Sequence, residues 1–169
     1  LIKNKPVAIL FGDDVVKSKT PSLLQLIKVF KKYKKPVVAL SRVPKSSFQF
    51  YGMVGVKKVE NRVYEITKII EKPSIKEAPS NLALVGKSII TEEVFNYLKR
   101  AKFSERGEIG LSEALAEMVK AGEEIYGYEI EGKWLECGNK LAYLKSNFYL
   151  SLKHPQYAKE LRKFLKKIK

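Results

Sequence analysis

The order in which hydrophobic periodicity changes near the start of the chain restricts its fold more than any other feature. "PVAILFG", ending at Gly12, is a continuous apolar run of the kind found in a strand covered on both faces. "PSLLQLIKVFKKYKK" follows, with Leu23, Leu24, Ile27 and Phe30 on a helical period and Pro21 placed for a first helical turn. "KPVVALSRV" is a second apolar, β-branched run. Strand, helix, strand is a βαβ unit with a right-handed crossover, and it predicts an α/β sheet covered by helices.

The pattern then shortens. "YGMVGVKKVENRVYEITKIIEKP" alternates about the turn "VENR" and predicts an antiparallel excursion with a polar face. "NLALVGKSII" is another strand, and Thr91 is placed to cap a helix that carries Glu92 and Glu93 in its first turn. "IGLSEALAEMVKAG" is a helix closed by Gly122, "EIYGYEIEGKWLECG" gives two short strands turning at Glu131–Gly132, and "NKLAYLKSNFYLSLK" is a helix. Nothing repeats and no linker interrupts the chain, so residues 1–169 read as one α/β domain with a mixed sheet.

With 169 residues, 45% of them hydrophobic, the chain can bury a single sizeable core. No run approaches the roughly 20 apolar residues of a membrane span, and the first residues lack a secretory cleavage site, so a cytoplasmic protein with no membrane partner is expected. Cys137 is the single cysteine and is assigned to packing; the single histidine, His154, precedes a proline and is not assigned to chemistry. The net charge of +15 is compatible with nucleic acid, an acidic membrane surface or phosphorylated small molecules. The densest basic clusters, "KKYKK" and "KELRKFLKKIK", read as solvated faces of amphipathic helices, and lysine predominates over the arginine that base recognition favours. Nucleic acid is therefore not an expected partner.

In open α/β sheets ligands bind beyond the carboxyl ends of strands. The first such end is Gly12-Asp13-Asp14, where a carboxylate can hold a divalent cation through oxygen, or alternatively cap a turn. Glu136, in "LECG" after a late strand, could share that ion if both strand ends face one cleft. In "IIEKPSIKEAPSNLALVG", Lys72 can neutralise phosphate oxygens, Glu71 can accept from sugar hydroxyls, and Asn81 can do both; Gly52 and Gly86 let backbone lie close to a ring. Each of these also has a plain reading as turn chemistry or strand packing.

Taken in order, "LFGDD", "YGMVGV", "IIEKPSIKEAPSNLALVG", "ERGEIGLSEAL" and "WLECGNKLAYLKSN" resemble the bacterial UTP-glucose-1-phosphate uridylyltransferases. The resemblance spans nearly the whole chain and about the last three-fifths of the family's length. It implies a Rossmann-like nucleotidyltransferase fold with a mixed, mainly parallel sheet, truncated at the N-terminus, that makes UDP-glucose and pyrophosphate from UTP and glucose 1-phosphate with Mg²⁺. Carried over by position, Asp13 is the first metal carboxylate, Glu136 stands for the second, Asp13 and Lys72 are the catalytic residues, Lys72 also meets the sugar phosphate, and Gly12, Gly52, Glu71, Asn81 and Gly86 bind substrate.

The departures from the family are specific. No glycine-rich GxGTR loop occurs in these residues, so the chain alone is expected to be inactive, and a strand exposed near Val7–Phe11 is expected to promote a homo-oligomer. Where the family has Glu-Ile-Gln-Leu-Thr-Asp, this chain has Glu108-Ile109-Gly110-Leu111-Ser112-Glu113, and Glu136 replaces an aspartate. A catalytically silent sugar-phosphate-binding or oligomerisation module is the alternative reading.

Overall fold

The computed structural model describes residues 5–100 and 110–168. Glu108 and Ile109 lie outside the described residues. The chain runs β1 (Val7–Leu10), β2 (Asp14–Lys17), α1 (Ser22–Tyr33), β3 (Val37–Arg42), a 3₁₀ turn (Lys45–Phe50), β4 (Gly52–Glu60), β5 (Val63–Glu71), β6 (Leu82–Ile90), α2 (Glu92–Arg100), α3 (Leu111–Lys120), β7 (Tyr126–Glu129), β8 (Lys133–Glu136), α4 (Lys140–Ser151) and α5 (Ala158–Leu165).

Six strands form one sheet in the order β1-β6-β3-β7-β5-β4. Alternation along β3 explains the layers. Val37 and Ala39 face a core with Leu26 and Val29 of α1, while Val38 and Leu40 face a second core with Val94 of α2 and Leu115 and Met118 of α3. A strand with four consecutive fully covered residues has no polar face, which is why "VVAL" reads as an unbroken apolar run.

The sheet is mixed, as the sequence implied, but its "mainly parallel" character holds only for strand direction. β1, β3, β4 and β7 run the same way, yet β6 lies between β1 and β3, and β7 is flanked by antiparallel β5. Only β3 and β7 are parallel neighbours among the described strands. The βαβ reading is corrected accordingly: β1 and β3 are parallel without touching, because the later strand β6 inserts between them.

β1 is also not covered on both faces. It ends the sheet, its residues alternate between half-buried and exposed, and Leu10 and Phe11 remain 51% and 50% exposed. The β4–β5 hairpin turns at Asn61–Arg62, with Arg62 at φ 61°, and rejoins the sheet through β7. Gly122 closes α3 at φ +83°, a left-handed conformation that favours glycine.

A strand that the sequence concealed is β2. It forms a two-stranded ribbon with β8, in register Asp14↔Glu136, Val15↔Leu135, Val16↔Trp134 and Lys17↔Lys133. Gly132, at φ +110°, turns the chain from β7 in the main sheet into this ribbon; a Cβ there would meet Lys17 and Ser18. At that end the Gln25 side chain exchanges hydrogen bonds with Glu131, its Nε2 donating to the carbonyl at 3.2 Å and its Oε1 accepting from the N–H at 2.8 Å.

No residue of the tail helix α5 is fully buried; Leu161 and Leu165 on its apolar side are half-buried and Phe164 is exposed. No helix among the described residues is long and apolar enough to cross a membrane.

Candidate active site

The ribbon register brings together two carboxylates that are far apart in sequence. Because Asp14 pairs with Glu136, Asp13 lies beside the end of β8, and the Cys137 N–H donates to the Asp13 carbonyl at 2.7 Å. Asp13 Oδ2 and Glu136 Oε1 approach one point beside Gly138, at 3.0 and 2.9 Å from where a Cβ would stand. Glycine at 138 leaves that space open. Glu136 is held in place by the Gly138 N–H on Oε1 at 2.8 Å and by Asn139 Nδ2 on Oε2 at 2.9 Å. Asn139 in turn caps α4, its Oδ1 accepting from the Ala142 N–H at 2.9 Å.

Asp13 and Glu136 stand at one side of a cleft of about 450 Å³. Its lining also includes Gly52, Glu71, Lys72 and Gly86, so six of the predicted site residues share one concavity. Register accounts for the opposite wall: Gly52 pairs with Glu71 across β4 and β5, and a Cβ at Gly52 would come within 2.9 Å of Glu71 Oε2 and 3.0 Å of a Leu84 methyl. Lys72 turns out of β5 at φ 47°, held by its N–H on the Tyr51 carbonyl at 3.1 Å. Its Nζ is 3.9 Å from Glu71 Oε1, a loose contact between partly exposed groups that leaves the ammonium free to meet an anion.

Two predicted residues stand elsewhere. Asn81 does not line this cleft; its Oδ1 accepts from Arg42 Nη1 at 2.9 Å, as part of a network in which Arg42 also donates to both oxygens of Glu129. Gly12 is exposed outside the lining, with open space where a Cβ would be. Gly86 does line the cleft, but its N–H already donates to Asp14 Oδ2 at 2.8 Å, and a Cβ there would collide with that carboxylate and with Phe11.

Among the lining residues with polar or aromatic character that sequence reasoning missed are Phe11, Tyr51, Lys87 and Trp134. Lys87 was the one lysine in the apolar run "NLALVGKSII", and that isolation was the available signal. Its Nζ donates to the Asp14 carbonyl. Tyr51 packs against Trp134 with ring centroids 4.9 Å apart, and burial, with Glu136 and Asp14 nearby, pushes its phenol up.

The two departures at the start of α3 interact. Gly110 and Ser112 line the cleft, and the Glu113 carboxylate folds back onto the space that a side chain at 110 would occupy. Ser112 Oγ donates to Glu113 Oε2 at 2.9 Å. The longer acid at 113 thus fills the volume vacated by glycine at 110.

The donor set suits a hard divalent cation. Among the described residues no three His, Cys, Asp or Glu converge as a complete metal cage. Mg²⁺ does not require one, since it takes one or two carboxylates and completes its shell with water and phosphate oxygens. Asp13 and Glu136 meet that requirement.

Comparison with known proteins agrees with this fold. A UTP–glucose-1-phosphate uridylyltransferase of Staphylococcus haemolyticus is 37% identical over 167 residues, which are 99% of this chain and 58% of that protein. The crystal structure of a UDP-glucose pyrophosphorylase complexed with UDP-glucose superposes with a TM-score of 0.84 at 32% identity, covering 90% of this chain and 58% of the other. A UTP-bound enzyme of the same name from Acinetobacter baumannii gives 0.85 at 27% identity, over 99% of this chain and 58% of its own. The chain therefore spans a little under three-fifths of the relatives it matches. The family model for nucleotidyl transferases matches residues 1–151, nearly the whole of the sheet, the ribbon and the cleft between them, and this chain belongs to that family.

Proposed function

We propose that this chain supplies the sugar-phosphate side and the metal carboxylates of a UTP–glucose-1-phosphate uridylyltransferase. The supporting observation is the shared cleft: Asp13 and Glu136 approach one point at the ribbon, and Gly52 and Glu71 of the β4–β5 pair, with Lys72 just beyond β5, line the same concavity. In the reaction a phosphate oxygen of glucose 1-phosphate attacks the α-phosphorus of UTP. The new P–O bond forms as the bond to the bridging oxygen breaks, and pyrophosphate leaves.

Two anions must approach, so positioning and charge compensation dominate the barrier. Lys72 neutralises the incoming phosphate, and Glu71 accepts from hydroxyls of the sugar. Asp13 and Glu136 would hold Mg²⁺, which supplies further charge compensation at the phosphates when bound. The attacking phosphate is already ionised, so the chain need not provide a general base. These residues contain no glycine-rich GxGTR loop for the triphosphate, and by themselves they are expected to turn over no UTP. A homo-oligomer is part of the same reading, supported by Leu10 and Phe11 exposed at the free edge of the sheet.

The test is calorimetric titration of the chain with glucose 1-phosphate and with glucose. Binding of the phosphate ester that weakens about 10- to 100-fold in Lys72→Ala, the range for one charge-assisted hydrogen bond, supports the assignment. Undetectable binding at millimolar ester, or affinity indifferent to Lys72, would refute it.

A further inference from the structure

The geometry points to Asp14, and not only its neighbour Asp13, as the residue that sets where the metal carboxylates stand relative to the sugar-phosphate wall. This inference rests on the proposed function, since it concerns the same cleft. Asp13 and Glu136 sit on or beside the β2–β8 ribbon, whereas Gly52 and Glu71 belong to the main sheet and Lys72 follows directly after β5. Any geometry that includes both groups therefore depends on how the ribbon is fastened to the sheet.

At the cleft end, that fastening converges on Asp14. Its Oδ2 accepts from the Gly86 N–H of β6 at 2.8 Å, its Oδ1 accepts from Trp134 Nε1 of β8, and its carbonyl accepts from Lys87 Nζ. One residue thus joins β2, β6 and β8. A carboxylate suits the place because it has two acceptor oxygens and the two N–H donors arrive from different elements. Glycine at 86 is required for the carboxylate to lie against β6 at all. The far end of the ribbon is held separately, by Gln25 and Glu131, and near the cleft the Phe11 N–H donates to the Gly86 carbonyl at 2.7 Å and Ser146 Oγ to the Glu136 carbonyl at 2.9 Å, so losing Asp14 loosens the cleft end without detaching the ribbon.

Asp14 is a positioning residue in this account, touching neither metal nor sugar phosphate. Its consequence for binding is that Asp13 and Glu136 lose affinity for a cation when their strand is unfastened, although both ligands remain. Asp14→Asn keeps an acceptor for Trp134 Nε1 and provides a conservative rescue.

Two measurements on the 169-residue chain separate anchoring from positioning. Amide hydrogen exchange reads the anchoring without any metal: Asp14→Ala is expected to accelerate exchange at Leu135 and Glu136 while leaving Glu131 unchanged. Mn²⁺ affinity, followed by the paramagnetic resonance of the free ion, reads the consequence. An approximately tenfold loss in Asp14→Ala is expected, recovered to within about threefold in Asp14→Asn. Unchanged exchange in Asp14→Ala overturns the anchoring, and faster exchange with unchanged Mn²⁺ affinity overturns the positioning role. If Asp14→Ala does not fold, Trp134→Phe, which removes the donor to Oδ1, takes its place in both measurements, with Asp14→Asn still the conservative comparison. Wild-type Mn²⁺ affinity in Asp13→Ala, or none in the wild type, defeats the metal assignment of the proposed function and with it the positioning role, while the exchange data still decide the anchoring.

Discussion

Replacing Gly86 by alanine tests the packing beneath the cleft with a single methyl group. The added Cβ would collide with the Asp14 carboxylate and would lie 2.5 and 2.7 Å from Phe11 side-chain atoms, well inside van der Waals contact. Phe11 is exposed and can swing away, but Asp14 is tied at both oxygens and cannot move without breaking its bonds to Gly86 and Trp134. Overpacking of this kind costs about 1–3 kcal/mol, and loss of one charge-assisted hydrogen bond adds about 1.5–3 kcal/mol. Reduced freedom of the unfolded chain returns roughly 0.4–1 kcal/mol. The net expectation is about 1.5–5.5 kcal/mol, or a fall in Tm of roughly 3–22 °C for a domain of this size. Urea denaturation followed by circular dichroism measures it, with Gly12→Ala as the control, because no atom lies within 4 Å of that Cβ and its expected effect is within about 0.5 kcal/mol. In a double-mutant cycle Asp14→Ala should relieve much of the Gly86→Ala penalty, with a coupling of about 1–2 kcal/mol. A Gly86→Ala protein as stable as the wild type, or full additivity with Asp14→Ala, would refute the reasoning.

Two further predictions concern the surroundings of the site. Gly110→Gln should cost no more than about 0.5 kcal/mol in the same urea assay, because the atoms in its way are the tip of the exposed Glu113 side chain, which can swing into solvent; a loss above about 1 kcal/mol would show that Glu113 is held in place. Burial opposes ionisation of Glu129, but the Arg42 guanidinium at 2.9 and 3.1 Å and the Tyr64 hydroxyl at 2.9 Å win and hold its carboxyl below the ordinary 4.5. A carboxylate so depressed contributes stability above pH 4.5 that is lost as the pH falls through its folded value, so Arg42→Ala should flatten the acid limb of the stability profile below pH 4.5; an unchanged profile would contradict this.

What was legible in the sequence follows from how locally it was encoded. "VVAL" announced a doubly covered strand because its neighbours on both faces are helices, and "VENR" announced a hairpin whose strands are adjacent in sequence. β2 was hidden because "DVVK" is short, half-exposed and paired with residues more than a hundred positions away. The same long-range register makes Asp13 and Glu136 neighbours, and no local pattern could supply it. β1 misled because an apolar run at a sheet edge looks like one at the centre; the difference is only what lies beside it. Gly86, read as a substrate-binding glycine, lines the cleft, and its N–H is engaged by Asp14 of this chain. Asn81, read as a hydroxyl ligand, accepts from Arg42 of β3, a contact invisible without the fold.

The central claim is that Asp13 and Glu136 form one metal centre across the cleft from Lys72. A crystal structure of the chain with Mn²⁺ and glucose 1-phosphate, using anomalous scattering to locate the ion, tests it most directly. The account predicts one peak bound by Asp13 Oδ2 and Glu136 Oε1 at about 2.1–2.2 Å, slightly beyond the Mg²⁺–oxygen distance, with the sugar phosphate against Lys72 and its hydroxyls on Glu71. An ion held by neither carboxylate, or a sugar phosphate seated beside Asn81 and Arg42 instead, would contradict it.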